Sequence, residues 1–129
     1  MAWTRWRKNK FGREKVSHSG MRFDSKLEAA VYDILKLMER AGEIKDLRHH
    51  PGTTFLTRAR VQSRPDFSYT NPATGETEYA EAKGFETPEY RIKLRLWRFY
   101  GPGKIHIWKG SHSKPFLHET VTPKGDDDV

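Results

Sequence analysis

The most regular pattern of apolar side chains lies between Asp24 and Gly42. At the start of this interval, Ser25 and Glu28 form the S-x-x-E pattern of a capping box, in which each side chain accepts a hydrogen bond from a backbone amide. The pattern predicts an amphipathic helix over residues 25–41, ended by Gly42. Its apolar face recurs at three- and four-residue spacing: Leu27, Ala30, Val31, Ile34, Leu35, Leu37 and Met38.

Shorter segments with alternating or β-branched side chains follow this helix. Residues 43–50 and 53–62 indicate one or two strands. Residues 66–69 and 78–83 flank segment 71–76, which is rich in turn-forming side chains. Together these three segments predict a β-hairpin.

The second strand of the predicted hairpin has two different faces. Successive side chains of a strand point to opposite sides, so Tyr79, Glu81 and Lys83 share one face. Ala80 and Ala82 share the other face, where small side chains suit close packing against a helix. The alternation therefore predicts an acid and a lysine that point the same way.

A second helix is predicted from Thr87 to Tyr100. Threonine suits the N-cap position and the following Pro88 suits the first helical position. The predicted apolar stripe of this helix consists of Ile92, Leu96 and Phe99, and a neighbouring basic stripe consists of Arg91, Arg95 and Arg98. The basic stripe suits phosphate contacts, although a solvated helix face explains the same arginines. Residues 104–108 predict a last core strand.

The two ends of the chain lack such patterns. Residues 1–22 mix basic, small and aromatic side chains without a sustained period, which predicts a mobile basic arm. Residues 111–129 predict a C-terminal surface tail with an acidic end. Since 129 residues are about the length of one domain, we expect a single folded domain over residues 23–110.

The charge of the chain favours a polyanionic partner. Lys and Arg number 24 against 17 acids, which gives a net charge of +7 with neutral histidines. The arm holds seven of these basic residues against the single acid Glu14, and we expect them to bind nucleic acid: Arg5, Arg7, Lys8, Lys10, Arg13, Lys15 and Arg22.

The composition also limits metal chemistry and location. The chain has no cysteine, so a metal site must use oxygen or imidazole ligands. Zinc is not expected, because the adjacent His49 and His50 would point opposite ways on a strand. An apolar run long enough to span a membrane is lacking, and no apolar segment follows the basic start as in a secretory signal. We expect a soluble, intracellular protein without membrane contact.

Four residues carry the chemistry on these predicted elements. Arg64-Pro65-Asp66 precedes Glu81-Ala82-Lys83, with Glu81 fifteen positions beyond Asp66, and Glu28 opens the first helix. This motif resembles that of the PD-(D/E)xK nuclease superfamily. The segments Phe23–Glu28, Pro65-Asp66-Phe67 and Glu81–Gly84 are similar to those of phage junction-resolving endonucleases. Phe23–Glu28 and Lys83–Tyr90 are also similar to segments of small related phage proteins. The resemblance implies a restriction-endonuclease-like α/β (α+β) core, a central mixed sheet with helices on its faces in the order αβββαβ.

The resemblance also implies roles for individual residues. Asp66, Glu81 and the Ala82 backbone carbonyl would be direct ligands of Mg²⁺, for which Mn²⁺ would substitute. Glu28 would serve a second metal or a bound water, and Lys83 would position the attacking water or hold the scissile phosphate. The resemblance thus implies a phage endonuclease that acts in the cytoplasm of the host cell. Its substrate would be branched DNA such as Holliday junctions, and it would act in DNA recombination as a homodimer.

Simpler explanations exist for each residue taken alone. Capping explains Glu28, a turn explains Asp66, and a solvated strand face explains Glu81 with Lys83. Their joint occurrence in this order favours a metal site. Two other functions remain open: a nicking, repair or sequence-specific endonuclease, and an inactive basic protein that binds nucleic acid. The interval between Asp66 and Glu81 is longer than in the junction-resolving enzymes, which leaves the dimer geometry open.

Overall fold

Two helices form where the sequence predicts them. The computed structural model describes residues 5–8 and 14–124, with side chains from residue 15 onward. Helix α1 runs over Lys26–Arg40 and helix α2 over Pro88–Tyr100, which confirms both predicted helices. In the part of the chain that the structure describes, neither helix is long and apolar enough to cross a membrane.

Side-chain caps fix where each helix begins. The Ser25 hydroxyl accepts a hydrogen bond from the Glu28 amide at 3.0 Å, and the Thr87 hydroxyl accepts one from the Tyr90 amide at 3.1 Å. The Glu28 carboxylate accepts a hydrogen bond from the Asp24 amide at 2.6 Å, one residue earlier than in the predicted capping box. Glu28 is therefore tied to the segment that enters α1.

The strands form three sheets within the described residues. The first has three strands in the order β1-β2-β3, the second has five, and β5 with β6 forms a two-stranded sheet. In chain order the strands are β1 (Arg5–Lys8), β2 (Glu14–His18), β3 (Met21–Phe23), β4 (Lys45–His49), β5 (Thr54–Phe55), β6 (Gln62–Ser63), β7 (Phe67–Thr70), β8 (Thr77–Ala82), β9 (Ile105–Ser111) and β10 (Lys114–Val121).

The five-stranded sheet is mixed and has the order β10-β9-β8-β7-β4. Strands β7 and β8 are antiparallel, which confirms the predicted hairpin. Strands β8 and β9 are parallel, and α2 makes the crossover that a parallel pair requires. Strands β4 and β10 are the antiparallel edges. The described part of the chain is thus a mixed α+β structure with two helices.

Each face of the central sheet packs against one helix, as the alternation along β8 predicts. Ala80 is fully buried in a cluster with residues of α1, whereas Tyr79 packs against the cluster of α2. The Tyr79 ring meets the Trp97 ring edge-on, with centroids 5.2 Å apart. The two faces of β8 therefore separate the environment of α1 from that of α2.

The predicted apolar stripe of α2 is wrong. The buried stripe consists of Tyr90, Leu94 and Trp97, whereas Ile92 is 55% exposed and Leu96 is only partly buried. Both sets have helical spacing, so periodicity alone does not choose between them. The larger aromatic side chains of the observed stripe bury more apolar surface.

The N-terminal segment is part of the folded domain, contrary to the predicted mobile arm over residues 1–22. Strands β2 and β3 are antiparallel, and β2 also contacts α1. Val16 is 1% exposed and His18 is 6% exposed, with His18 Nε2 at 2.9 Å from an Asp33 carboxylate oxygen. Within residues 15–18 only Val16 and His18 are buried, and only Val16 is apolar, so the sequence of β2 has no clear apolar pattern. The predictions for residues 1–4 and 9–13 lie outside the described residues.

The predicted C-terminal tail is also wrong for most of its length. Strand β9 extends to Ser111, and β10 pairs with it along Lys114–Val121. As an edge strand, β10 leaves many side chains in solvent, including Phe116 at 51% exposure, so it lacks a clear apolar pattern. Residues 125–129 lie outside the described part of the chain.

The burial of β2 generates a stability prediction. Val16→Asp places an unpaired charge in the core, and we expect it to lower the free energy of unfolding by on the order of 3 kcal/mol. Arg22→Asp on the exposed side of β3 is the control and should change stability by less than about 0.5 kcal/mol. Urea unfolding of both variants measures this. Equal stability of Val16→Asp and the wild type would mean that residues 15–18 are not part of the core.

Candidate active site

The pairing of two strands, β7 and β8, brings Asp66 and Glu81 together. The antiparallel register pairs Phe67 of β7 with Ala80 of β8, so Asp66 falls opposite Glu81 at the next position. The Ala82 amide donates a hydrogen bond to Asp66 Oδ2 at 2.9 Å. The hairpin thus brings Asp66, Glu81 and Ala82, the three predicted direct metal ligands, to neighbouring positions.

The first turn of α1 adds Glu28 to this end of the sheet. Ligand atoms of Asp24, Glu28, His50 and Asp66 all lie within 4.8 Å of one another, and we call these four residues the acidic cluster. Glu28 is only 1% exposed. Glu81 is not one of the four and lies at the border of the cluster, opposite Asp66. Two predicted site residues, Glu28 and Asp66, are therefore in the cluster.

Two histidines contact Glu28, which the sequence analysis did not foresee. His49 Nε2 and His50 Nε2 lie 3.2 and 2.7 Å from Glu28 Oε1, and the two rings are 3.8 Å apart. The expectation that they point opposite ways is wrong, because β4 ends at His49 and His50 has a left-handed backbone with φ of 52°. The His50 amide donates to the Asp66 carbonyl at 2.7 Å, which holds this turn in place.

Asp24 was also missed as a member of the cluster. Its backbone amide donates to Glu28, and one of its carboxylate oxygens lies 3.9 Å from His50 Nε2. Its position next to the N-cap Ser25 already indicated that Asp24 lies close to Glu28, since residues around an N-cap stay close to the first turn of the helix. The signal for His50 was the Pro51-Gly52 pair, which ends a strand and breaks its alternation.

The electrostatics of the site reflect crowded negative charge. Burial, and then the charges of Glu28 and Glu81, raise the pKa of Asp66 well above its ordinary value. Burial raises the pKa of Glu81 to about 7, even though Lys83 and Lys93 oppose the shift. Burial also disfavours the charged form of Glu28, but hydrogen bonds from His49, a backbone amide and His50 outweigh it and lower its pKa. A bound divalent cation would relieve this repulsion.

A cavity of about 260 Å³ lies on the other side of Glu81, between β8 and α2. Three basic side chains line it, Arg64, Lys83 and Lys93, and we call it the basic cavity. The Lys83 ammonium lies 4.6 Å from the centre of the Tyr90 ring, which forms part of the wall. Glu81 lines this cavity as well, and the register of β7 and β8 places it opposite Asp66 of the acidic cluster.

The predicted basic stripe of α2 divides into paired and unpaired arginines. Arg91 contacts Glu86 at 3.0 Å and Glu119 at 2.8 Å, so acids neutralise it. Arg95 and Arg98 are exposed and, together with Lys124, line a groove of about 330 Å³ between α2 and β10. Among side chains in residues 15–124, neither of these two arginines has an acidic partner.

The basic residues predicted in the arm are only partly described. Arg22 is exposed on β3, and Lys15 lies 3.9 Å from Asp24 of the acidic cluster. Arg5, Arg7 and Lys8 form β1, of which the structure describes the backbone, while Lys10 and Arg13 lie outside the described residues. Their contact with nucleic acid stays a prediction.

A protein-family model matches most of the chain. The model described as "Protein of unknown function (DUF1064)" matches residues 8–109. The chain belongs to the DUF1064 family. No curated protein matches it significantly. The DUF1064 match spans the whole acidic cluster and the basic cavity, and it ends within β9, before β10.

The raised pKa of Asp66, caused first by burial and then by neighbouring negative charges, generates a stability prediction. The folded protein raises the Asp66 pKa, so stability is present at acid pH and falls as the pH rises through the folded-state value. At neutral pH with EDTA, we therefore expect Asp66→Asn to raise the free energy of unfolding by about 0.5–2 kcal/mol. Asparagine can still accept the Ala82 hydrogen bond. Thermal unfolding measures the change, with the exposed Glu76→Gln as control, and a destabilised Asp66→Asn would contradict this account.

Proposed function

We propose that this DUF1064 protein is a metal-dependent endonuclease that hydrolyses DNA phosphodiester bonds. The single observation that carries the proposal is that Asp66 of the acidic cluster lies opposite Glu81 of the basic cavity in the register of β7 and β8. Phosphodiester hydrolysis brings a cation-activated water and an anionic phosphate to one point. Carboxylates on one side and ammonium groups on the other suit these two reactants.

The donor atoms fit a hard cation. Mg²⁺ prefers oxygen ligands and retains several waters, so a few carboxylates suffice. Asp66, Glu81 and the Ala82 carbonyl would hold such an ion, and Glu28 would hold a second ion directly or through water. The imidazole of His50 adds a ligand that suits Mn²⁺ better than Mg²⁺. The bound ion supplies charge stabilisation and a more acidic water.

Lys83 is the cation placed to contact the substrate. It shares the face of β8 with Glu81 and lines the basic cavity, where its ammonium forms no ion pair among the described residues. A compact ammonium there holds the scissile phosphate or orients the attacking water. The Tyr90 ring beneath the ammonium restricts its movement through a cation–π contact.

The succession of elements around the site supports the same assignment. If the β5–β6 pair is left out, the elements from α1 to β9 run helix, three strands, helix and strand, which is the αβββαβ succession expected of a restriction-endonuclease-like core. The N-terminal strands, the β5–β6 pair and β10 are additions to this order. In this interpretation the acids lie at the sheet end where nucleases of this fold hold their metal.

We further propose that the substrate is branched DNA and that the active form is a homodimer, as in phage resolvases. The unpaired Arg95 and Arg98 offer a second phosphate-binding surface beside the site. The turn between β7 and β8 occupies the extra residues between Asp66 and Glu81. Since it lies at the far end of the hairpin from both acids, the added length leaves their pairing intact.

Removing either central acid should stop cleavage. We expect Asp66→Asn and Glu81→Gln each to lower the cleavage rate with Mg²⁺ or Mn²⁺ by roughly 1,000-fold, because each removes a metal ligand. Binding to DNA in EDTA should change little. Glu76→Gln, an exposed acid in the hairpin turn, is the matched control and should cut at the wild-type rate.

The substrates in this assay are a four-way junction, a nicked duplex and a linear duplex. Preferred cutting of the junction supports resolution of branched DNA, whereas equal cutting of the linear duplex favours another endonuclease activity. Undiminished cleavage in both acid variants would show that the site is misassigned. Tight binding without any wild-type cleavage would identify a binding protein.

The two classes of arginine on α2 should differ in their contribution to DNA binding. Each phosphate contact contributes about 0.9 to the salt dependence of binding, so Arg95→Gln with Arg98→Gln should reduce that slope by about 1.8. Arg91→Gln should change the slope little, because Glu86 and Glu119 already neutralise Arg91. Fluorescence anisotropy over a range of salt concentrations measures both. A larger effect of Arg91→Gln would contradict the assignment.

A further inference from the structure

Phe85 is an exposed aromatic residue beside the basic cavity. Its side chain is 79% exposed, the highest value among the large exposed hydrophobic residues of the described chain. Lys83 and Thr87, two residues away on either side, both line the basic cavity. Consecutive Cα atoms are about 3.8 Å apart, so the Phe85 Cα lies within about 8 Å of both neighbours' Cα atoms. Phe85 therefore lies on the short segment between two residues that line the cavity, with its ring exposed to solvent.

The segment that carries Phe85 is anchored at both ends. On one side the Lys83 amide donates to the Trp108 carbonyl at 2.9 Å. On the other, the Glu86 carboxylate binds Lys109 of β9 and Arg91 of α2. The ring is thus held in solvent by a fixed backbone, and a pre-organised aromatic loses little conformational freedom when it binds a partner.

The surroundings of the ring fit a nucleotide. A nucleotide combines an anionic phosphate with a flat base, and here an exposed aromatic ring is carried two residues along the chain from Lys83, one of the cations of the basic cavity. Lys93 is partly neutralised by Glu89 at 3.4 Å, so Lys83 and Arg64 are the main cations for the phosphate. Aromatic side chains bind any base whose face is free, whereas bases within a duplex are stacked on each other.

We propose that Phe85 stacks on an unpaired base of the DNA strand whose phosphate occupies the basic cavity. The inference rests on the proposed function and adds to it the feature of the substrate that is recognised. Paired duplex offers no free base face, but branches, gaps and flaps do. Phe85 therefore directs the enzyme to places where a base has left the helical stack.

The test uses the full chain in EDTA, so that cleavage does not interfere. Gapped DNA with 2-aminopurine in the gap reports stacking through fluorescence quenching, and a fully paired duplex of the same sequence is the reference. We expect Phe85→Ala to weaken binding to gapped DNA roughly tenfold, to abolish the quenching, and to leave duplex binding unchanged. Phe85→Trp should retain both. Phe116→Ala, another half-exposed phenylalanine on β10, is the matched control and should behave as wild type.

Several outcomes would overturn the inference. These are unchanged binding and quenching in Phe85→Ala, an equal loss of affinity for gapped and paired DNA, and no binding of gapped DNA by the wild type. A change of oligomeric state in Phe85→Ala, measured by analytical ultracentrifugation, would assign the ring to a second copy of the chain. A separate wild-type cleavage reaction with Mg²⁺ tests the proposed function, so stacking without cleavage would refute only the nuclease activity.

Discussion

The pairing of β7 with β8 is the constraint on which the site depends. Its antiparallel register sets Asp66 opposite Glu81, while the cap of α1 carries Glu28 to the same end of the sheet. The result is a group of carboxylates close enough to oppose each other's ionisation, with the imidazoles of His49 and His50 in contact with Glu28. A fold gains no stability from such crowding, so a ligand that needs it is the simplest reason for its presence.

The same strand connects this negative site to a positive one. Because side chains alternate along β8, its alanines pack against α1, while Glu81 and Lys83 face the cavity beside α2. An ion on the acids and a phosphate on the ammonium groups would then be neighbours. The exposed ring of Phe85 lies at the edge of this arrangement and would give it a preference for unstacked bases.

Features set by local sequence were predictable, and those set by tertiary packing were not. Caps and apolar spacing gave both helices, and turn residues gave the hairpin, because these signals act within a few residues. Glu28 and Asp66 were singled out by their order on those elements, and the structure brings their carboxylates together, while the catalytic roles of Glu28, Asp66, Glu81 and Lys83 stay a prediction. Strands β2 and β10 were missed because half-exposed strands have weak patterns, and His50 was missed because its left-handed backbone breaks the alternation of β4. Asp24 belongs to the cluster because its backbone amide donates the hydrogen bond that the Glu28 carboxylate accepts at the start of α1.

The central claim is that Asp66 and Glu81 share one divalent ion. A crystal grown with Mn²⁺ tests it directly, since the anomalous scattering of manganese locates the ion. The account predicts an ion bound by both carboxylates and by the Ala82 carbonyl. An ion held only by Glu28 and the two histidines, or no ion at this end of the sheet, would contradict it.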